Sequence, residues 1–149
     1  MTVFDKQQAV LKAATLLVQH FSDCQQRGNK GLHSRVFSYF LHPEADYVGV
    51  GRSKKLVPTE SAHPEHVVPC AVMIDECLQL LKAGVAHTDI AELLAKHWKI
   101  VFVTKDEARY LDSTNGANLK KCMPKDWCFQ TGDSFARLKV AGIEFHYNE

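Results

Sequence analysis

The order of helical and extended segments along the chain is the feature that most constrains its fold. Apolar residues recur at helical spacing at Val10, Ala14, Leu17 and Phe21, which predicts a helix over residues 4–26. The other predicted elements are a hairpin of strands over 34–42 and 46–51, helices over 69–83 and 89–98, a strand over 99–104, a helix over 105–112, an irregular segment over 113–127, a helix over 133–142 and an edge strand over 143–147. Helices and strands do not alternate regularly, so we expect an α+β fold: one compact domain, residues 1–149, with a small antiparallel sheet packed against several helices.

Two helix starts carry recognisable caps. Thr104 and Glu107 form the T-x-x-E pattern of a capping box, directly after the strongest predicted strand. Thr88 precedes the helix over 89–98 and is predicted to cap it.

Length and charge limit the classes of function. A chain of 149 residues is long enough to bury a core as a single domain. Its formal net charge is only +1, so the chain as a whole has no general attraction to nucleic acid. Any surface that binds nucleic acid must therefore be a local basic patch.

The apolar runs and the cysteines indicate where in the cell the protein is located. No apolar run approaches the length of a membrane-spanning helix, and the N-terminus lacks the order of a signal peptide, so we expect no membrane association. The five cysteines are odd in number and irregularly spaced, which predicts reduced thiols, no disulfide and a cytoplasmic location. Cys70 and Cys77 are predicted to be buried on the core-facing side of their helix, and the spacings do not favour a structural zinc site.

Residues 61–70, SAHPEHVVPC, contain the most suggestive motif. Glu65 stands directly before His66, and two branched residues and a proline follow. Branched residues favour an extended backbone, in which the carboxylate and the imidazole point to opposite sides. One can bind a hard cation while the other accepts a proton from water.

The segment EHVVP resembles the first element of HNH (His-Me finger) nucleases. The resemblance implies that His66 is the general base, that Glu65 holds a divalent metal ion (magnesium or manganese, or else zinc), and that DNA is the substrate. The family's later element has its counterpart in NGANL, where Asn118 would orient the base and Asn115 is a second asparagine. No histidine follows Asn118 until His146, so the family's second helix-borne ligand has no clear equivalent.

Two basic clusters could contact a phosphate backbone if their loops meet. The alternative is that both are solvated loops. The clusters consist of Arg52, Lys54 and Lys55, and of Lys120, Lys121 and Lys125.

Other functions stay open at this point. Glu65 and His66 could have structural roles, and the fold could be a nuclease fold kept as a binding module. The chain also resembles small proteins of mobile elements. That resemblance implies no activity. A separate alternative, which the compact size, the near-neutral charge and the incomplete motif favour, is a phage or mobile-element protein without catalysis that inhibits a host defence complex by binding a host protein or nucleoprotein complex.

Overall fold

The computed structural model describes residues 1–148 and contains both helices and a sheet. The elements are α1 Val3–Gln26, α2 Val36–Phe40, α3 Glu44–Val48, β1 Gly49–Ser53, β2 His63–His66, α4 Cys70–Lys82, α5 His87–His97, β3 Ile100–Val103, α6 Lys105–Asp112, α7 Ala136–Val140 and β4 Phe145–Tyr147. The predicted α+β class is confirmed.

The four strands form one sheet in the order β2-β3-β1-β4. β2 and β4 are the edge strands and pair antiparallel to their neighbours. β1 and β3 pair in parallel, so the sheet is mixed and not the antiparallel sheet that the sequence predicts. The parallel pair is possible because β2, α4 and α5 lie between these strands in the chain and provide the long crossover that parallel pairing requires.

The core lies between α1, the helices α4 and α5, and the sheet. The predicted stripe of α1 is buried throughout, with Leu17 and Phe21 fully inaccessible. Each such side chain contributes about 1.5–3 kcal/mol when it leaves water completely. Residues from almost every element join this one buried cluster, which fixes the positions of α3, β2 and α4 relative to one another.

Several local predictions were wrong. Residues 34–42 contain α2 and not a strand, because in a helical turn Val36 and Phe37 both reach the core, where Phe37 packs against Phe21 and Trp98. The predicted strand over 46–51 is divided between the end of α3 and the start of β1, so the hairpin does not exist. β2 was not among the predicted strands. α5 begins at His87 with no side-chain cap, so Thr88 does not cap it. The helix expected over 133–142 is shorter than predicted, since α7 spans only Ala136–Val140.

The thiol predictions hold in part. All five cysteines are free, and Cys77 is buried as expected. Cys70, however, is only partly buried, because it lies at the first position of α4 beside an open cleft. Within residues 1–148 no helix combines the length and apolarity needed to cross a membrane.

The predicted capping box of α6 is present and gives the first testable prediction. Thr104 accepts a hydrogen bond from the Glu107 amide, and the Glu107 carboxylate accepts one from the Thr104 amide and another from Ser53 of β1. We expect Thr104→Ala to lower the free energy of unfolding by about 1 kcal/mol in urea denaturation. Thr59→Ala in the exposed loop after β1 is the matched control, and equal stability of the two variants would contradict the assignment.

Candidate active site

A cleft of about 580 Å³ opens where β2 meets α4. His66 ends β2, Cys70 begins α4, and the short α3 places Glu44 opposite them. The loop before α2 and the irregular segment after α6 form the rest of the wall. The other lining residues include Arg35, Glu65, Asp112, Lys120, Lys121 and Arg137.

Glu65 is held by protein groups on the side of β2 that faces α7. Its Oε1 accepts a hydrogen bond from Arg137 Nη2 at 2.7 Å, and its Oε2 lies 3.1 Å from His63 Nε2. Arg137 is 2% exposed and also donates to the carbonyls of Leu119 and His66. The guanidinium therefore neutralises the carboxylate that was expected to hold a metal ion.

The donor set of this cleft does not fit a divalent metal ion. A stable metal site needs several converging oxygen, nitrogen or sulfur ligands. Residues 1–148 contain no group of three or more His, Cys, Asp and Glu side chains placed to hold one. The expected assignment of Glu65 as a metal ligand is therefore not supported by the geometry.

His66 points away from Glu65 to the other side of β2, as the extended backbone predicted. Its Nε2 lies 2.8 Å from Glu44 Oε2, and the same oxygen accepts the indole N–H of Trp98 at 2.6 Å. Burial alone would lower the pKa of His66, but Cys70 and Glu44 together outweigh it and raise the pKa to about 10. Burial likewise opposes the ionisation of Glu44, and its bonds to His66 and Trp98 keep its pKa below the ordinary value.

The charge on His66 changes its expected role. With a pKa of about 10 the ring is an imidazolium at neutral pH, in an ion pair with Glu44. A protonated ring cannot accept a proton from water, so in this resting state His66 is a proton donor and not the predicted general base.

Cys70 is the residue that sequence reasoning missed, since it was assigned to the core. It is the first residue of the 13-residue helix α4, whose N-cap Pro69 provides no side-chain hydrogen bond. The positive end of the helix dipole therefore lies beside the sulfur. The thiol lines the same cleft as the His66 ring. The available signal was the spacing in H-V-V-P-C, where a proline start signal places a cysteine at a helix N-terminus next to a histidine.

Asn118 is not brought together with His66. Its side chain is exposed, it does not line the cleft, and its backbone has a left-handed φ of 55°. Asparagine tolerates that conformation well, so the residue closes the turn in which its amide donates to the Ser113 carbonyl. The neighbouring Leu119 carbonyl, and not the Asn118 side chain, approaches the site through Arg137. Asn115 is likewise an exposed turn residue.

The six predicted basic residues do not form one surface around the cleft. Lys120 and Lys121 line it, together with Arg35, which was not predicted. Lys54 instead lies 3.6 Å from Glu144, and Lys55 lines a separate cavity beside Glu107. Arg52 on β1 and Lys125 in the irregular segment are exposed but do not line the cleft.

Within residues 1–148, Arg35, Lys120 and Lys121 make no ion pair, whereas Asp112 is the one lining carboxylate without an ion-pair partner. The cleft therefore has an excess of positive charge and attracts anionic molecules.

The raised pKa of His66, which Cys70 and Glu44 cause, makes the stability of the protein depend on pH. The pKa of His66 is raised from 6.5 to about 10, so its stabilising effect is fully present below pH 6.5 and is lost as the pH rises through about 10. We expect urea denaturation to give a lower free energy of unfolding at pH 10 than at pH 7, and a smaller difference in His66→Gln. Identical pH dependence of the two proteins would contradict the ion pair.

Comparison with known proteins found no match to this chain. No protein-family model matches the chain, and no curated protein and no solved structure resembles it significantly. The resemblances to HNH nucleases and to mobile-element proteins therefore stay predictions.

Proposed function

We propose that the protein is a thiol-dependent hydrolase in which Cys70 is the nucleophile, His66 transfers the proton and Glu44 orients His66. The observation that carries this proposal is the convergence of the three side chains in one open cleft, with the sulfur at the start of a helix. A nucleophile, a proton carrier beside it and a third group that orients the carrier are the parts that covalent catalysis requires.

The reaction divides into two steps. The Cys70 thiolate attacks a carbonyl carbon and forms a carbon–sulfur bond, while the carbonyl electrons move to oxygen. This oxyanion would face the amides of Cys70 and Ala71, which have no partner within the helix because they lie in its first turn. The bond to the leaving group then breaks, and the leaving group takes the proton of His66.

The second step restores the enzyme. Neutral His66 now accepts a proton from water, and the resulting hydroxide attacks the thioester carbon. The carbon–sulfur bond breaks, the acid is released with the Cys70 sulfur as the leaving group, and His66 again holds its proton. Glu44, held by the indole N–H of Trp98, keeps the imidazole in place through both steps.

The charge of the cleft favours an anionic substrate. Arg35, Lys120 and Lys121 line the same cleft as the nucleophile, so an ester, thioester or amide with a negative group near its carbonyl would bind best. The free cysteines agree with the proposed cytoplasmic location, where thiols stay reduced.

The predicted nuclease activity is a second candidate because Lys120 and Lys121 lie beside His66 and Glu65, where they could contact phosphate. The engagement of Glu65 by Arg137 and the proton on His66 argue against a metal-dependent mechanism. Inhibition of a host defence complex by binding it stays a further proposal.

Alkylation with a charged and a neutral reagent tests the thiol proposal. In each case sulfur displaces iodide, and peptide mass mapping measures the rate at every cysteine. We expect the anionic iodoacetate to react with Cys70 faster, relative to neutral iodoacetamide, than it does with the exposed Cys122 and Cys128. Cys77 should not react, since burial and then Glu76 raise its pKa to about 12.

Cys128 is a demanding internal control. Hydrogen bonds from Thr131 and then Gln130 lower its pKa, so it is also reactive, but it has no imidazolium partner in this cleft. The double variant Lys120→Gln/Lys121→Gln should lower the preference for iodoacetate at Cys70 and leave that at Cys128 unchanged. A Cys70 that reacts with both reagents like Cys122 would exclude the proposed nucleophile.

A further inference from the structure

A second cavity, separate from the Cys70 cleft, lies between α1, the end of α5 and the strands β1 and β4. It has a volume of about 560 Å³, which is within the range of small-molecule sites. Its walls are mainly apolar. They include Val10, Leu11, Val48, Val50 and Trp98.

Positive charge is concentrated on the cavity wall. Lys6 of α1, Lys96 of α5 and Lys99 line it, and among the described residues 1–148 the one lining carboxylate is Glu92. Within residues 1–148 none of these lysines makes an ion pair. Lys99 is half-buried and its ammonium donates to the Lys96 carbonyl, and burial together with Lys96 lowers its pKa. A half-buried cation without a counterion is unfavourable, and an anion beside it would be stabilising.

We propose that this cavity binds an amphipathic anion, with an apolar body against Val10, Leu11 and Val50 and a carboxylate beside Lys96 and Lys99. Apolar walls with adjacent cations favour the binding of an amphipathic anion over a neutral lipid or a sugar. The proposal does not depend on the chemistry assigned to Cys70.

Trp98 provides a reporter for the occupant. It forms part of the cavity wall, while its indole N–H donates to Glu44 in the Cys70 cleft. An occupant therefore contacts the same residue that holds the Glu44–His66 pair. The chain contains only one other tryptophan, Trp127, so Trp127→Phe leaves Trp98 as the sole indole.

The test compares three probes of equal chain length at concentrations at which each is monomeric in solution. Calorimetry on the unmodified protein measures the affinities of decanoate, decanol and decyltrimethylammonium, and Trp98 fluorescence in Trp127→Phe locates the binding. We expect saturable binding of decanoate, at least about tenfold tighter than that of the other two probes, with a change in Trp98 emission.

Variants of the cavity wall complete the test. Lys96→Gln/Lys99→Gln should reduce the affinity for decanoate to that for decanol, whereas Lys82→Gln at the exposed end of α4 should not change it. Leu11→Phe should weaken all binding by filling the cavity. Equal affinities for the three probes, no saturable binding, or full decanoate affinity without Lys96 and Lys99 would each overturn the proposal.

Discussion

Cys70→Ala is expected to abolish the hydrolysis of an anionic 4-nitrophenyl ester such as 4-nitrophenyl hemisuccinate, with product release falling to the rate in buffer alone. The sulfur is the only protein atom that forms a bond to the substrate carbon in the proposed mechanism, and methyl cannot replace it. His66→Gln should reduce the rate less completely, by about 10²- to 10⁴-fold, because it removes proton transfer but leaves the thiol. Stopped-flow absorbance should also detect a burst of nitrophenol in the wild type.

Control variants separate this result from a general loss of thiols. Cys122→Ala and Cys128→Ala remove exposed cysteines outside the cleft and should keep full activity. Far-ultraviolet circular dichroism should confirm that Cys70→Ala remains folded, since the partly buried Cys70 side chain is small. If folded Cys70→Ala hydrolysed the ester at the wild-type rate, the thiol mechanism would be excluded.

Variants of the same two residues distinguish the thiol hydrolase from a metal-dependent nuclease. In a plasmid nicking assay with magnesium, manganese or zinc, a metal-dependent nuclease would lose activity in His66→Ala and retain it in Cys70→Ala. A thiol hydrolase nicks nothing in either variant. Activity that depends on His66 but not on Cys70 would therefore favour the HNH prediction over the proposed function.

Regular periodicity predicted the large elements of the fold well. α1, α4, α5 and α6 were located from apolar stripes and from the Thr104 cap, because these signals are local and each helix buries one continuous face. The short elements were not predicted correctly. α2 and α3 each span five residues and are formed because Phe37 and Val48 reach the core, which is a tertiary effect.

The site shows the same division. The motif located His66 and the cleft, and extended backbone placed Glu65 and His66 on opposite sides of β2. The partners that define the chemistry came from distant segments, since Glu44 lies 22 residues from His66 and Arg137 lies 72 residues from Glu65. The sequence of the motif is the same whether His66 is a neutral general base or an imidazolium. The protonation state of the ring depends on the neighbouring carboxylate and thiol.

Arg137→Met is expected to lower the free energy of unfolding by about 3–5 kcal/mol, the cost typical of leaving a buried charge without its partner. The guanidinium is almost fully inaccessible, and it joins α7 to the Glu65 carboxylate, the His66 carbonyl and the Leu119 carbonyl. Methionine has no hydrogen-bond donor, so all three acceptors would lose the donor that Arg137 provides. Urea denaturation monitored by circular dichroism measures the effect.

A second substitution isolates the charge. Glu65→Gln in the Arg137→Met background removes the uncompensated carboxylate, so the double variant should be more stable than Arg137→Met alone. Lys139→Met is the matched control on the same helix, because its ammonium pairs with Asp133 at the surface and solvent screens that interaction. If Arg137→Met were no less stable than Lys139→Met, the buried ion pair would not be what holds α7 against β2, and the cleft wall that contains Lys120 and Lys121 would need another support.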